Sequence, residues 1–499
     1  MLEQTPKSFS EFLETAQNGN VVPVVRTVFA DLHTPVGAFL RVAHSAEKAF
    51  LFESIEGGER LARYSFLAAN PFMTVRAEND KILCEKFGEV EEINGISLFD
   101  YLCEHFAKNK LALREGLPPL CGGAVGFLAY DAVRWFEPIL ENNVQHEQAD
   151  AVWMFFRTIL AFDRLKQQIE IVSVVFTDEA NGDETKLRQL FDNAVLETEM
   201  IEKLLNNTGV SLQVPNVENA KTYAFQSNWT RQEFIESVET IQQKILDGDC
   251  YQVVLSQRFR KQISADPINI YRALRTTNPS PYMFFMKFGK ETLIGASPEM
   301  LVRCRGEKLD YRPIAGTRPR GANESEDWIL AEDLRSDEKE LSEHIMLVDL
   351  GRNDLGRVSE YGTVEVNELM IVEKYSHVQH LVTSLSGSLR EGTDRFDALA
   401  ACFPAGTVSG SPKVRAMQII NELEPTPRGI YAGTIGYIDY ADNLDTCIAI
   451  RTIEINDGIA SVQTGAGVVH DSVPEKEYEE TINKARALVK AIELAEQGI

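Results

Sequence analysis

Basic charge, paired cysteines and long apolar runs are all scarce in this sequence, and each scarcity removes a class of function. Fifty lysines and arginines stand against 75 aspartates and glutamates in 499 residues, a formal charge of −25. Such a surface disfavours nucleic acid and anionic membranes as partners, while a few local cations can still hold a small anion. The seven cysteines, at 84, 103, 121, 250, 304, 402 and 447, are odd in number, widely spaced and never form a Cys-x-x-Cys pair. Neither a disulfide framework nor a zinc cluster is implied, and the thiols are expected as small reduced residues in or near the core. The longest apolar runs, such as 124–129, fall far short of the roughly 20 residues a membrane helix needs. The opening residues MLEQTPKSFSEF carry no basic-then-apolar signal, so a cytoplasmic location is expected. Gly-x-Gly-x-x-Gly and Gly-Lys-Ser/Thr loops are missing, which leaves dinucleotide and P-loop chemistry without support.

What is present reads as an ordinary globular chain, 44% hydrophobic and 25% charged, long enough for two or three domains. An N-terminal region, 1–215, is expected to be β-rich, with strands at 50–54 and 63–67 and helices at 8–17 and 98–108. A charged amphipathic helix over 183–205 leads into NNTGVSLQVPNVENAK, whose polar, turn-rich composition marks a linker near 215. The C-terminal domain, 216–499, then begins with a helix over 231–247 and the β-branched strand CYQVVLSQRFRKQI.

The organising stretch is 309–358. LDYRPIAGTRPRG alternates like a strand and then turns tightly at Ala315-Gly316-Thr317, where a glycine lets backbone N–H groups approach an anion. After an acidic spacer, the next helix puts Glu340 and Glu343 on one face, and apolar residues over 345–350 predict that it is mostly buried. An ordinary solvated face with a Glu340–His344 pair is the plainer reading of the spacing. A second Glu-x-x-Glu weighs against it: SVPEKEYEETINKARALVKAI reads as a helix capped by Ser472, with Pro474 in its first turn and Glu477 and Glu480 together. Two acidic helices converging on one ion, with hard oxygen donors alone, favour Mg2+ over zinc. A Gly/Ser/Thr loop over 406–411 precedes another helix, an arrangement open both to anion binding and to plain helix capping.

These motifs, PIAGTRPRG, EHIMLVDLGRNDLGRV, PAGTVSGSPKVRAM, GIYAGTIGY and QTGAGVV in this order, closely resemble the large-subunit family of the anthranilate synthases within the chorismate-utilising enzymes. The resemblance implies an α+β fold of large antiparallel sheets packed as a β-sandwich with helices outside, the active site lying in the C-terminal portion. It implies that Glu340, Glu343, Glu477 and Glu480 are the magnesium carboxylates. Gly316, Thr317, Gly465, Ala466 and Gly467 match substrate-cradling positions, and Tyr431, Arg451 and Lys484 match those that grip the enolpyruvyl carboxylate. His380 matches the family histidine associated with pyruvate elimination, although an apolar strand more often holds a histidine as core. Glu299 matches the general acid, a role that needs a raised pKa.

Two positions discriminate within the family. Gln252 stands where water-adding relatives carry a lysine base, and Ala315 where the 4-amino-4-deoxychorismate makers carry a lysine nucleophile. Both point to direct attack by ammonia at C2 of chorismate, giving anthranilate and pyruvate. No cysteine sits in a glycine-rich nucleophile turn, so ammonia is expected from glutamine through a separate amidotransferase subunit (component II), in a heterotetramer of two large and two small chains. Glu53 and Ser54, with Asn278, Pro279, Pro281, Tyr282 and Met283, match the family's L-tryptophan feedback site. Phe52 departs from the usual form of its first element. The weighed alternatives are an aminodeoxychorismate synthase component I, an isochorismate synthase, and a non-catalytic amino-acid-binding regulatory protein.

Overall fold

The structure, a computed structural model, describes residues 2–55, 63–78, 81–140, 149–207, 224–375 and 378–498. Among these, two antiparallel sheets of thirteen and twelve strands carry the architecture. The first runs from Glu3–Thr5 through Val21–Phe29, Gln168–Phe176, Thr158–Asp163, Tyr64–Ala69 and Lys48–Glu53, then crosses to Tyr282–Phe288, Glu291–Ser297, Thr452–Asn456, Ile459–Val468 and Gln252–Gln262. The second runs from Ile314–Pro319 through Val378–Ser388, Lys308–Tyr311, Met300–Arg305, Asn443–Ile448 and Thr434–Asp439, then crosses to Gly123–Leu128, Ala151–Phe156 and Met73–Glu78.

The N-terminal and C-terminal segments therefore meet edge to edge twice. Met283 lies opposite Glu53 in one sheet, and Gly436 opposite Gly126 in the other. Each segment supplies part of both sheets. The linker expected near 215 lies outside the described residues.

Strand alternation explains how the layers stack. In Lys48–Glu53, Phe50 faces the second sheet with Phe284, Val125 and Met154, while its neighbour Leu51 faces helices Pro267–Thr277 and Pro474–Glu496. A strand buried on both faces reads as a continuous apolar run rather than an alternating one. Helices Leu98–Lys108, Arg395–Cys402 and Glu338–Gly356 cover the outer face of the second sheet. The face-to-face sandwich with helices outside matches the fold expected from the motifs. Six of the seven free cysteines are buried and Cys103 is half-buried, as composition suggested.

Local expectations needed correction in four places. Ala315-Gly316-Thr317 is not a tight turn but a bulge in the strand Ile314–Pro319, where the pairing with Val378–Ser388 skips a residue and Gly316 takes φ 65°. The acidic stretch after it is itself a helix, Glu324–Ser336, and Asp337 ends that helix while capping the next, Glu338–Gly356. That second helix is less buried than its sequence implied: Ile345 is 52% exposed, and only Leu347 and Val348 of the run turn inward. Ser472 does not cap the C-terminal helix. Val473 occupies that position without a side-chain bond, and the Ser472 hydroxyl accepts from Val469 N–H at 3.0 Å.

The Gly126–Gly436 pair leaves no room for a side chain. A Cβ on Gly126 would stand 2.0 Å from the Val152 carbonyl oxygen and 2.7 Å from the Trp153 ring. Gly126→Ala is expected to destabilise the fold by about 3 kcal/mol or more, read as a lowered thermal midpoint; an unchanged midpoint contradicts this account of the seam.

Candidate active site

The predicted site residues come from four strands, two helices and the connecting segments that hold Glu299, Tyr431 and Arg451. Strand Ile314–Pro319 brings Gly316 and Thr317; its partner Val378–Ser388 sets His380 directly opposite Thr317. His380 Nδ1 lies 2.8 Å from the Gly316 carbonyl and 3.1 Å from the Thr317 hydroxyl. A carbonyl only accepts, so Nδ1 carries the hydrogen and Nε2 is left as the basic nitrogen of the neutral ring. The left-handed Gly316 also makes room for a carboxylate. A Cβ there would come within 2.8 Å of Leu334 Cδ1 and 3.1 Å of Glu340 Oε2.

Glu340 and Glu343 project from helix Glu338–Gly356 as the spacing requires, and the Glu340–His344 pairing does not form. His344 is fully buried, its Nε2 sits 2.6 Å from the Thr383 hydroxyl, and burial pushes its pKa down to about 4. Glu340 instead accepts from Arg318 at 3.3 Å, and Arg318 is shared with Asp333 and Asp337. Glu343 takes a hydrogen bond from Gln252, which lowers its pKa, while burial and the neighbouring Glu340 charge raise it more.

The C-terminal helix supplies the other acidic pair. Burial raises the Glu477 pKa, the Ser472 hydroxyl bond opposes this, and the Glu480 charge adds to it. Lys339 and Lys484 act on both Glu343 and Glu477, so the two acidic helices share one electrostatic field. Among the described residues no three acidic, histidine or cysteine side chains stand close enough to enclose a metal ion as arranged. The donor chemistry nevertheless fits a hard divalent cation: Glu343 and Glu477, raised first by burial and then by the like charge of Glu340 and Glu480 respectively, supply oxygen donors with only two lysines common to both.

The third wall is a set of cations and backbone. Lys484 Nζ bonds Glu480 at 2.7 Å and the Gly465 carbonyl at 3.0 Å, and Arg451 Nη1 donates to the Lys484 carbonyl at 2.9 Å. Arg451 is mostly buried, which lowers its pKa, and no carboxylate forms an ion pair with it among the described residues. Its φ is 52°, a left-handed conformation that costs a non-glycine residue about 1 kcal/mol or more. Tyr431 and Gly465 touch: a Cβ on Gly465 would stand 2.6 Å from the Tyr431 hydroxyl oxygen. Likewise a Cβ on Gly467 would stand 2.6 Å from the Gln252 amide nitrogen. Ala466 between them is fully buried.

Glu299 closes the ring. It is 6% exposed, its backbone carbonyl accepts from Ile448 N–H at 3.0 Å, and its carboxyl lies near the Ile314 N–H and near the Thr407 hydroxyl, which is buried without a hydrogen bond of normal geometry. Burial outweighs the influence of both neighbours and pushes its pKa up to about 8. Thr407 was not singled out from sequence beyond its membership of the 406–411 loop; its signal was the loop's threonine facing an otherwise apolar surround.

A second cluster forms away from this ring. Glu53, Ser54, Pro281, Tyr282 and Met283 line one cavity together with Tyr64, Phe66, Arg303, Tyr437 and Asp445. Asn278 and Pro279 are outside its lining, at the end of helix Pro267–Thr277. The Glu53 carboxylate is held by Tyr271 at 2.7 Å and Arg275 at 3.0 Å, while Tyr282 donates to Asp445 at 3.0 Å. Sequence reasoning missed Tyr437 and Asp445, which sit on the paired strands Thr434–Asp439 and Asn443–Ile448 and carry no motif of their own.

Comparison with known proteins gives a consistent result. The chorismate binding enzyme family matches residues 47–490. Anthranilate synthase component 1 of Acetivibrio thermocellus is 46% identical over 487 residues, covering 96% of this chain and 97% of that one. Its counterpart in Aquifex aeolicus (strain VF5) is 44% identical over 503 residues, covering 98% of each. The crystal structure of anthranilate synthase component I from Streptococcus pneumoniae TIGR4 superposes with a TM-score of 0.75 at 35% identity, covering 92% of this chain and 98% of that one. MenF, the menaquinone-specific isochorismate synthase of Escherichia coli, shares the fold at 19% identity, with a TM-score of 0.69 and coverage of 97% and 98%.

The Glu299 pKa has a testable sign. A carboxyl raised to about 8 binds its proton in the folded chain at pH values where the unfolded chain has already lost it. Stability contributed by the neutral group thus falls as pH rises from about 4.5 to 8. Glu299→Gln, which stays neutral, is expected to gain on the order of 1–3 kcal/mol over the parent on going from pH 6 to pH 8. Parallel thermal midpoints across that range contradict the raised pKa.

Proposed function

The chain belongs to the chorismate-binding enzyme family and, within it, to the anthranilate synthase component 1 group, and from that premise we propose that it converts chorismate and ammonia to anthranilate, pyruvate and water. The observation that carries this reading is Arg451, a partly buried guanidinium with a protein carbonyl as its partner, beside Tyr431 and Lys484. A carboxylate supplied by the substrate satisfies it bidentately.

In this reading Tyr431, Arg451 and Lys484 take the enolpyruvyl carboxylate, and the backbones at Gly316 and Gly467 leave space for the ring and its carboxylate. Glu340, Glu343, Glu477 and Glu480 would hold a magnesium ion, which supplies Lewis-acid stabilisation of the ring carboxylate. Glu299, still protonated at neutral pH, gives its proton to the departing C4 hydroxyl, which leaves as water while ammonia forms the new C–N bond at C2. His380 serves the second half through Nε2: the C2 proton is lost to it, the C3–O bond breaks, the enolpyruvyl carbon gains a proton, and the ring becomes aromatic.

Gln252 bears on the choice of nucleophile. A neutral amide cannot deprotonate water, whereas ammonia needs no activation. A component II-type amidotransferase subunit would deliver that ammonia from glutamine in the cytoplasm, in an assembly of two large and two small chains. The cavity holding Ser54, Tyr282 and Met283 is where L-tryptophan would bind as feedback inhibitor, its indole against Pro281 and Met283. Asp445 joins Glu53 as a carboxylate for the ammonium, since Glu53 is already held by Tyr271 and Arg275.

With chorismate, Mg2+ and high ammonium, the chain without its partner is expected to form a fluorescent aromatic product and pyruvate in equal amounts. A non-aromatic product points to the aminodeoxychorismate or isochorismate alternatives, and no turnover to a binding protein. Arg451→Gln is expected to lower kcat/KM for chorismate by about a hundredfold or more, and chelation of the metal to abolish turnover.

Ser54→Arg is expected to fill the second cavity. Tryptophan should inhibit the parent and leave this variant unaffected at an equal uninhibited rate; an unchanged dose response discards the assignment.

A further inference from the structure

We propose that Arg428 and Glu424 form a positioning pair for this reaction, a buried mount that fixes Tyr431, the 406–411 loop and the Gln252 strand in the arrangement that grips the enolpyruvyl carboxylate. The inference rests on the chorismate reading and deepens it. Arg428 is 2% exposed. Its Nε and Nη2 donate to the two Glu424 oxygens at 2.9 and 2.7 Å, a bidentate fork. Nη2 also donates to the Val254 carbonyl at 2.6 Å and Nη1 to the Val408 carbonyl at 2.8 Å. The guanidinium lies 5.4 Å from the Tyr431 ring centre and 4.7 Å from that of Tyr130.

Each of these contacts reaches a different part of the site. Val254 is two residues from Gln252 on the same strand; Val408 belongs to the 406–411 loop, next to Thr407, whose buried hydroxyl has no hydrogen-bond partner; Tyr431 lines the carboxylate grip. Glu424 strengthens the first tie, because its Oε1 also accepts from the Ser256 N–H and hydroxyl, both at 2.8 Å. Three protein groups, through four oxygens, and two aromatic faces occupy the guanidinium, taking four of its five N–H donors, so it acts on substrate through the groups it holds. Lysine cannot replace it: an ammonium has no planar fork to serve a carboxylate and two carbonyls on three segments at once.

The outer side of the pair faces a separate pocket lined by Tyr130, Asp131, Arg134, Met417 and Asn421. The Tyr130 hydroxyl there is buried without a hydrogen-bond partner. A small planar cation entering this pocket can therefore reach the space left by a truncated Arg428 side chain.

Three variants test the proposal. Tyr431 grips a substrate group that does not change charge in the reaction, so loosening it should weaken ground and transition states alike and appear in KM. Arg428→Lys is expected to raise KM for chorismate by about ten- to a hundredfold with kcat within about threefold of the parent. In Arg428→Ala, tens of millimolar guanidinium should restore KM while methylammonium should not. Because a lone buried Glu424 can unfold that variant, the paired replacement Arg428→Met with Glu424→Leu removes both charges at similar volume. It should fold, show the same raised KM, and exchange amide hydrogens faster over 252–256 and 406–411. A folded double variant with KM within about twofold of the parent and unchanged exchange overturns the proposal. A parent chain inert towards chorismate sinks the functional reading alone, since the exchange measurement still decides whether the pair is a mount.

Discussion

Buried charge has to be matched, and in this molecule that single constraint sorts structure from chemistry. Where the chain needs rigidity it matches charge internally and with geometry: Arg428 with Glu424, Lys413 with Asp354 at 2.7 Å, and Arg134 with Asp150 at 2.6 Å are all mostly or wholly buried. Around the proposed site the match is deliberately incomplete. Arg451 has a backbone carbonyl, Glu343 and Glu477 crowd their own neighbours, and Glu299 escapes the constraint by keeping its proton. Paired ions hold a fold, whereas partly matched ones leave interaction energy for a ligand.

The two sheet seams make this arrangement affordable. Strands Thr452–Asn456, Ile459–Val468 and Val378–Ser388 lie inside the two sheets and are held by hydrogen bonds on each side, whereas Ile314–Pro319 is an edge strand fixed by Val378–Ser388 alone. The carboxylate grip lies on Thr452–Asn456, Ile459–Val468 and the helix packed over them, and the Gly316–His380 wall lies in the other sheet. Cross-sheet packing of Phe50, Phe284, Val125 and Met154 holds those two walls at a set distance. The cavity with Ser54 and Tyr282 lies within that same packed layer, bounded by strands of both sheets. One cross-link joins it to the proposed site: Cys447 lines the cavity, and its neighbour Ile448 bonds the Glu299 backbone.

Much of this was legible in the sequence because it depends on spacing. Two Glu-x-x-Glu helices, the Gly316 position and the strand-borne Gln252 follow from period and residue type, and the ordered motifs add the site roles. What was not legible depends on three-dimensional neighbours. The bulge at Gly316 looks like a turn because glycine serves both, and only its partner strand decides. Ser472 has the right residue type and position for a cap, but Val469 and Glu477 compete for its hydroxyl. His344 looked like a surface partner for Glu340 at helical spacing; the rotation of the helix turned it into the core against Thr383. Tyr437, Asp445 and Arg428 sit in plain strand or loop sequence, and their roles arise from which side chains converge on them.

Gln252 illustrates how one residue can serve two demands through a single geometry. Its amide presses against Gly467, where any side chain on that residue would collide with it, and its N–H holds the Glu343 carboxylate. A lysine at this position would put a third cation beside Glu343, in a field already shaped by Lys339 and Lys484, and would compete with a divalent ion for the same oxygens. A neutral amide orients the carboxylate without neutralising it, and it offers no base for water. On the proposed reading, nucleophile selection and the shaping of the acidic site are two consequences of one uncharged side chain, placed where the Gly467 strand meets the first acidic helix.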